Sequence, residues 1–221
     1  MKSVPLYVAQ LSIGDTTYRI SIQRMPRKTL SMYVLEGELL IKAPLNSQLK
    51  NILDWVETKR GWIEKRILLI ERMKLADNEV WYLGKKVVVY PDDQTVISTQ
   101  GIQLKAGTSI DTALRKQAIE TLRDLFTSSM HELGYGPKVL KFRTMTRSWG
   151  RCTSKGEITL NTRLIACDPR FIRYVCIHEL VHLHHLNHSP AFWRELKSYV
   201  PDVSNVKKLS VILQKTDRFE L

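Results

Sequence analysis

The chain has 221 residues and a mass of 25.6 kDa; 43% of its residues are hydrophobic, and Lys plus Arg outnumber Asp plus Glu by 34 to 22, a net charge of +12. That is enough apolar material for one large packed core or two small ones, and no apolar run approaches the ~18 residues that a membrane span needs. The opening Met1-Lys2-Ser3-Val4-Pro5 lacks a secretory apolar region, and Cys152, Cys167 and Cys176 form no CxxC pair, so a cytoplasmic protein without a disulfide framework is expected.

Alternating apolar residues predict strands over 6–13, 18–24, 30–35 and 39–43, joined by turns at Gly14-Asp15 and Glu36-Gly37-Glu38. They read as a small antiparallel β unit with a basic loop, Arg24-Met25-Pro26-Arg27-Lys28. From Ser47 to Lys74, Leu49, Ile52, Leu53, Val56, Ile63, Ile67 and Ile70 recur at helical spacing and predict one long amphipathic helix. Val80 to Leu83 and Val87 to Val89 flank Gly84 as a second hairpin, and a polar stretch runs from there to Ser109. A boundary is expected near residue 108, dividing a β-rich domain, 1–108, from a second domain, 109–221.

In the second domain, Asp111 can cap a helix with apolar positions Leu114, Ala118, Leu122, Leu125, Phe126 and Leu133, ending at Gly134-Tyr135-Gly136. Strands are predicted over 139–145 and 157–161, on either side of a polar turn through Trp149-Gly150-Arg151-Cys152. The second of them, Glu157 to Asn161, fits an ordinary half-buried strand or one that adds an extended substrate. The whole is an α+β chain, with no internal repeat in its sequence. Between Lys138 and Arg173, nine Lys and Arg face only Glu157 and Asp168, a local excess of +7. The segment reads as a solvated basic face or as a surface for nucleic acid, with Lys141, Arg143, Arg147 and Arg151 as candidate contacts.

Asp168-Pro169 starts a helix that carries His178-Glu179-Leu180-Val181-His182. Four residues return a helix to nearly the same face, so the two imidazoles can converge on one zinc ion, while Glu179, rotated by about 100°, can reach a zinc-bound water as general base. A catalytic zinc needs a third protein ligand and an open position. His185 lies too far along the helix and His184 points off its face. His188 is preferred, because Asn187 can end the helix and Ser189-Pro190 can start the next, leaving His188 at the bend; Glu195 is the alternative. A closed structural site would need a fourth ligand, for which Cys152 is a candidate, and would make the protein a non-catalytic basic binding module. A nucleobase deaminase is excluded because HxE and PCxxC are absent, and a metzincin is disfavoured because no methionine follows Met145.

Tyr174 to Leu183 together with Asn187-His188-Ser189-Pro190-Ala191-Phe192-Trp193 resembles the active-site signature of the YgjP-like metallopeptidases, which are related to the SprT-like group. Trp149-Gly150-Arg151-Cys152 and Gly156 to Asn161 resemble the segment that precedes that signature, although Arg151 stands where the family commonly has Ser. The resemblance implies a zincin-like catalytic domain, with His178, His182 and His188 on Zn2+, Glu179 as the catalytic residue and a polypeptide as substrate. The SprT-like relationship leaves a DNA-linked protease as an alternative.

Overall fold

In the computed structural model, which describes residues 6–35 and 37–211, the chain divides between Lys74 and Leu75 into two units. The first contains β1 (Leu6–Ile13), β2 (Thr16–Met25), β3 (Ser31–Leu35) and β4 (Glu38–Pro44), then α1 (Leu49–Thr58) and α2 (Arg60–Met73). The strands fall where alternation puts them, but the sheet order is β1-β2-β4-β3 and β2 runs parallel to β4. The sheet is therefore mixed, not antiparallel. Leu39, Ile41 and Ala43 on β4 are fully buried, and an interior position gives that strand a neighbour on both sides while β3 takes the edge.

The expected long helix is two helices. At Lys59 the backbone turns to φ −104°, ψ 6°, its N–H bonds back only three residues to Val56 O at 2.9 Å, and the Thr58 hydroxyl takes up the Trp55 carbonyl at 2.7 Å. A hydroxyl bonded to the main chain competes with regular helix, and the weak helix former Gly61 comes within a turn. Ile52, Val56, Ile63 and Ile67 on α1 and α2 join the sheet residues in one core.

The second unit begins with β5 (Glu79–Tyr82), β6 (Lys85–Asp92), β7 (Val96–Ile97) and β8 (Ile102–Lys105), in the order β5-β6-β8-β7. This is the connectivity of the first sheet again, including the parallel central pair, without a repeat in the sequence. The unit break lies well before residue 108 because the β5–β6 turn is bonded to a segment much later in the chain. Leu83 N–H bonds to Ile165 O at 2.7 Å and Gly84 N–H to Ala166 O at 3.1 Å. Backbone bonds of this kind tie the hairpin to the residues just before the HExxH helix.

The remaining elements are α3 (Ile110–Leu133), β9 (Val139–Arg143), β10 (Gly150–Cys152), β11 (Glu157–Asn161), a 3-10 turn (Thr162–Ala166), α4 (Pro169–Val181), α5 (Pro190–Tyr199) and α6 (Val203–Val211). Ser109, not Asp111, holds the N-cap position of α3, and Asp111 lies in its first turn. The three-stranded sheet runs β10-β11-β9. β11 is bordered on both sides, so of its two readings Glu157–Asn161 is the ordinary enclosed strand, and the edges of this sheet are β10 and β9. Leu114, Ala118, Leu122 and Phe126 of α3, Ile158 and Leu160 of β11, and Ile172, Cys176, Leu180 and Val181 of α4 form the buried interior of the unit. No helix among the described residues is long and apolar enough to cross a membrane.

Gly84 has φ +78°, and a Cβ there would stand 2.9 Å from Asp168 Cα, whereas Gly107, at φ +80°, has open space around it. Gly84→Ala therefore adds a backbone clash to the left-handed penalty of about 1 kcal/mol that both positions share. Urea unfolding should show Gly84→Ala destabilising the protein by about 2–3 kcal/mol and Gly107→Ala by roughly 1 kcal/mol; equal losses would contradict the close approach at Asp168.

Candidate metal centre

Helix α4 starts where Asp168-Pro169 predicts, with the Asp168 carboxylate accepting from Arg170 N–H at 2.9 Å. Nine of its thirteen residues are buried, which makes it a central helix. His178 is its one unburied residue in the last two turns, and His182 stands one turn later as the C-cap. The chain then tightens: Leu183 N–H bonds to Leu180 O, and the N–H groups of His184 and His185 both bond to Val181 O. Ser189 caps α5 by accepting from Phe192 N–H at 3.3 Å, and His188, immediately before that cap, is turned back toward α4.

His188 Nε2 stands 3.2 Å from His178 Nε2, and one ring nitrogen from each of His178, His182 and His188 lies within 4.8 Å of the others. Among the described residues these three histidines are the one group of metal-ligating side chains so arranged; Cys152 and Glu195 are outside it. Phe192, fully buried, lies against all three imidazoles, with ring centroids 5.0, 4.6 and 4.8 Å from those of His178, His182 and His188. Trp193 stacks on His188, and Lys207 Nζ from α6 is 4.3 Å from the Trp193 ring centre.

The donor set fits a metal ion on three counts. Burial, and then the neighbouring His182 and His188 and the Lys207 ammonium, push His178 down to about 3; burial, His182 and Lys207 lower His188 as well. Both imidazoles therefore keep the lone pair that a metal requires. His182 Nδ1 is 2.8 Å from the carbonyl oxygen of His185, which can only accept, so Nδ1 carries the proton and Nε2 is left as the ligating atom. Two ~2.05 Å bonds at a tetrahedral angle would separate their nitrogens by about 3.3 Å, close to the 3.2 Å between His178 and His188.

Glu179 is 6% exposed, and burial pushes its carboxyl up to about 7. Its neighbour across the site is the backbone of β10, and a Cβ on Gly150 would fall 2.5 Å from both Glu179 Cγ and Oε1. Asn161, 2% exposed, holds the turn that delivers Gly150 there. Its side-chain nitrogen donates to Met145 O at 2.8 Å and Ser148 O at 2.9 Å, and its side-chain oxygen accepts from the N–H groups of Met145 and Arg163.

Of the basic residues singled out in the sequence, Arg147 is exposed in the turn before β10, and Arg151 is exposed on β10 itself. Strand alternation sends Arg151 to the face opposite Gly150, away from Glu179. Register puts it in one row with Thr159 and Lys141, and Lys141 is paired with Glu157 at 2.8 Å. Arg143 is exposed at the end of β9. Arg170 and Arg173 are paired with Asp168 and Glu132, so three of the nine cations of the segment are neutralised locally. The carboxylate of Glu195, the alternative ligand, is directed elsewhere, accepting from Tyr135 Oη at 2.6 Å and from His185 Nε2 at 2.7 Å. Burial raises the Glu195 carboxyl, but the bonds from Tyr135, His185 and His184 outweigh it and hold the group below the usual range.

The YgjP-like metallopeptidase domain model matches residues 28–209, a span that includes the whole histidine cluster. The chain belongs to the YgjP-like metallopeptidase family. Its activity is accordingly that of a metal-dependent peptidase, and its three clustered histidines can hold a metal ion. Among solved structures, the metallopeptidase zymogen abylysin of Pyrococcus abyssi is 29% identical over 43% of this chain and 97% of its own, with a TM-score of 0.39. The zymogen jannalysin of Methanocaldococcus jannaschii is 18% identical over 41% of this chain and 93% of its own, with a TM-score of 0.37. No protein of curated function matches.

Sequence reasoning included Gly150, Asn161 and Phe192 within the family-like motifs but gave them no role, and it missed Lys207; what each of them does depends on what it touches in the fold. Gly150→Ala should displace the Glu179 carboxyl and lower kcat by about 10- to 100-fold, the usual cost of an ångström-scale misplacement, with metal content unchanged. Steady-state rates on a denatured protein substrate, read beside metal analysis, check this; full activity in the variant would refute the close packing.

Proposed function

We propose that the protein is a zinc metallopeptidase in which His178, His182 and His188 hold Zn2+ through their Nε2 atoms and Glu179 is the general base. The observation that carries the reading is the cluster itself: three converging imidazoles, one of them with its Nδ1 bonded to the His185 carbonyl, beside a buried carboxylate. Three protein ligands, with no fourth among the described residues, match a catalytic zinc site and not a closed structural one. When bound, zinc supplies Lewis acidity, polarising the scissile carbonyl and lowering the pKa of water.

The chain's own groups do the rest. Glu179 accepts a proton from the attacking water and returns it to the leaving amine nitrogen, so that the peptide bond breaks with no net change in the carboxylate. Phe192 gives the three imidazoles an apolar ring to pack against, with His188 left on the exposed side of the cluster. An extended polypeptide is the substrate this arrangement suits, because the outer edge of β10 is unpaired among the described strands and Gly150 brings that strand against Glu179.

The purified protein should contain about one zinc per chain, and His182→Ala should lose most of it. Glu179→Gln should retain the metal and lose hydrolysis by roughly 100- to 10,000-fold, the span expected when a general base is removed. Metal analysis paired with a peptide-cleavage assay reads both. Stoichiometric zinc in His182→Ala would refute the assigned site, and undiminished turnover in Glu179→Gln would remove Glu179 as the base.

A further inference from the structure

A second polar cluster lies behind the three histidines, joining elements far apart in sequence. Glu195 on α5 is at its centre. Its Oε1 accepts from Tyr135 Oη at 2.6 Å and is 3.4 Å from His184 Nδ1, and its Oε2 accepts from His185 Nε2 at 2.7 Å. The Tyr135 and His184 rings are also in contact, with centroids 4.0 Å apart. Tyr135 lies just past the end of α3, and His184 and His185 just past the end of α4, so one carboxylate in the middle of α5 ties together the ends of two other helices.

His185 faces both clusters. Its ring is held by Glu195, its N–H by Val181 O at 3.0 Å, and its carbonyl oxygen accepts the Nδ1 proton of His182 at 2.8 Å. With ring and amide both held, the His185 Cα is anchored beside His182, at the place from which its carbonyl accepts the Nδ1 proton. The same turn leads through Asn187 to His188, so its shape also sets how His188 comes back toward His178.

We propose that Glu195 is a positioning residue for the metal centre: with Tyr135 and His184 it clamps His185, so that the His185 carbonyl holds His182 in the Nδ1–H tautomer and the turn presents His188. The inference rests on the zinc-site reading above and gives the carboxylate that sequence analysis left as the alternative ligand a different task. The hydrogen-bond partner of a ligating histidine, here the His185 carbonyl, orients that ligand without touching the metal, and loss of such a partner lowers metal affinity by about 10- to 100-fold; Glu195 acts one bond further out, through that carbonyl.

The test compares Glu195→Ala, Glu195→Gln, Tyr135→Phe and His188→Ala with the unaltered full-length protein, using chelator competition for zinc affinity, metal stoichiometry, and 15N NMR of the histidine rings in metal-free protein. Glu195→Ala should still bind one equivalent of zinc, but about 10- to 100-fold more weakly, and its metal-free His182 should no longer show a single Nδ1–H form. Glu195→Gln, which keeps an acceptor for Tyr135, should lie between Glu195→Ala and the unaltered protein, and Tyr135→Phe should fall in the same direction by less. If Glu195→Ala does not fold, Glu195→Gln and Tyr135→Phe carry the same comparison. Unchanged affinity together with an unchanged His182 tautomer would overturn the proposal. Loss of stoichiometric zinc in Glu195→Ala with retention in His188→Ala would overturn it differently, making Glu195 a ligand. Failure of the zinc-site reading itself would show separately, as full zinc in His182→Ala.

Discussion

Desolvation at the end of α4 governs the chemistry of the second unit. Removing Glu179 from water raises its affinity for a proton, and removing His178 from water lowers the proton affinity of the imidazole beside it. The same burial therefore favours a carboxyl able to hold a proton and a histidine free to hold a metal. It requires a helix covered on nearly every side, and the packing of α3, α5, α6, β10 and β11 around α4 supplies that cover.

Burying a carboxylate also dictates what lies against it. β10 approaches so closely that no side chain fits at position 150, and the strand is brought there by Asn161, which makes three side-chain hydrogen bonds to the 145–149 turn and a fourth to Arg163 N–H. A buried amide satisfied by four partners makes a rigid support, because each lost bond would leave a desolvated polar group unpaired. The result is a short edge strand, held from behind, alongside the proposed catalytic residue.

Each unit opens with four strands in the same order, with an interior parallel pair flanked by two hairpin partners. In the first unit the strand that carries the fully buried Leu39, Ile41 and Ala43 takes an interior place. In the second, the β5–β6 turn forms main-chain bonds with the 3-10 turn ahead of α4, and this sheet thereby becomes part of the architecture that fixes the start of the HExxH helix. The basic segment is partly neutralised: Lys141, Arg170 and Arg173 are occupied by nearby carboxylates, while Arg143 and Arg151 stay exposed on the sheet face that Lys141 shares.

Features set by local spacing were legible in the sequence. The i, i+4 histidines, Asp168-Pro169 at the start of α4, Ser189-Pro190 at the start of α5 and the alternation of β1 to β4 all depend on neighbours within a few residues, and short-range geometry decides them. The same reasoning put His188 at the bend between two helices. Tertiary structure alone decided pairing across distance. β4 entered between β2 and β3; the long helix broke at Lys59 where a hydroxyl and a glycine weakened it; β11 was enclosed by β9 and β10. Glu195 met Tyr135, sixty positions away, and His185 in place of the metal cluster. A carboxylate's partner is whichever donor the folded chain brings within 3 Å, and no periodicity along the sequence encodes that distance.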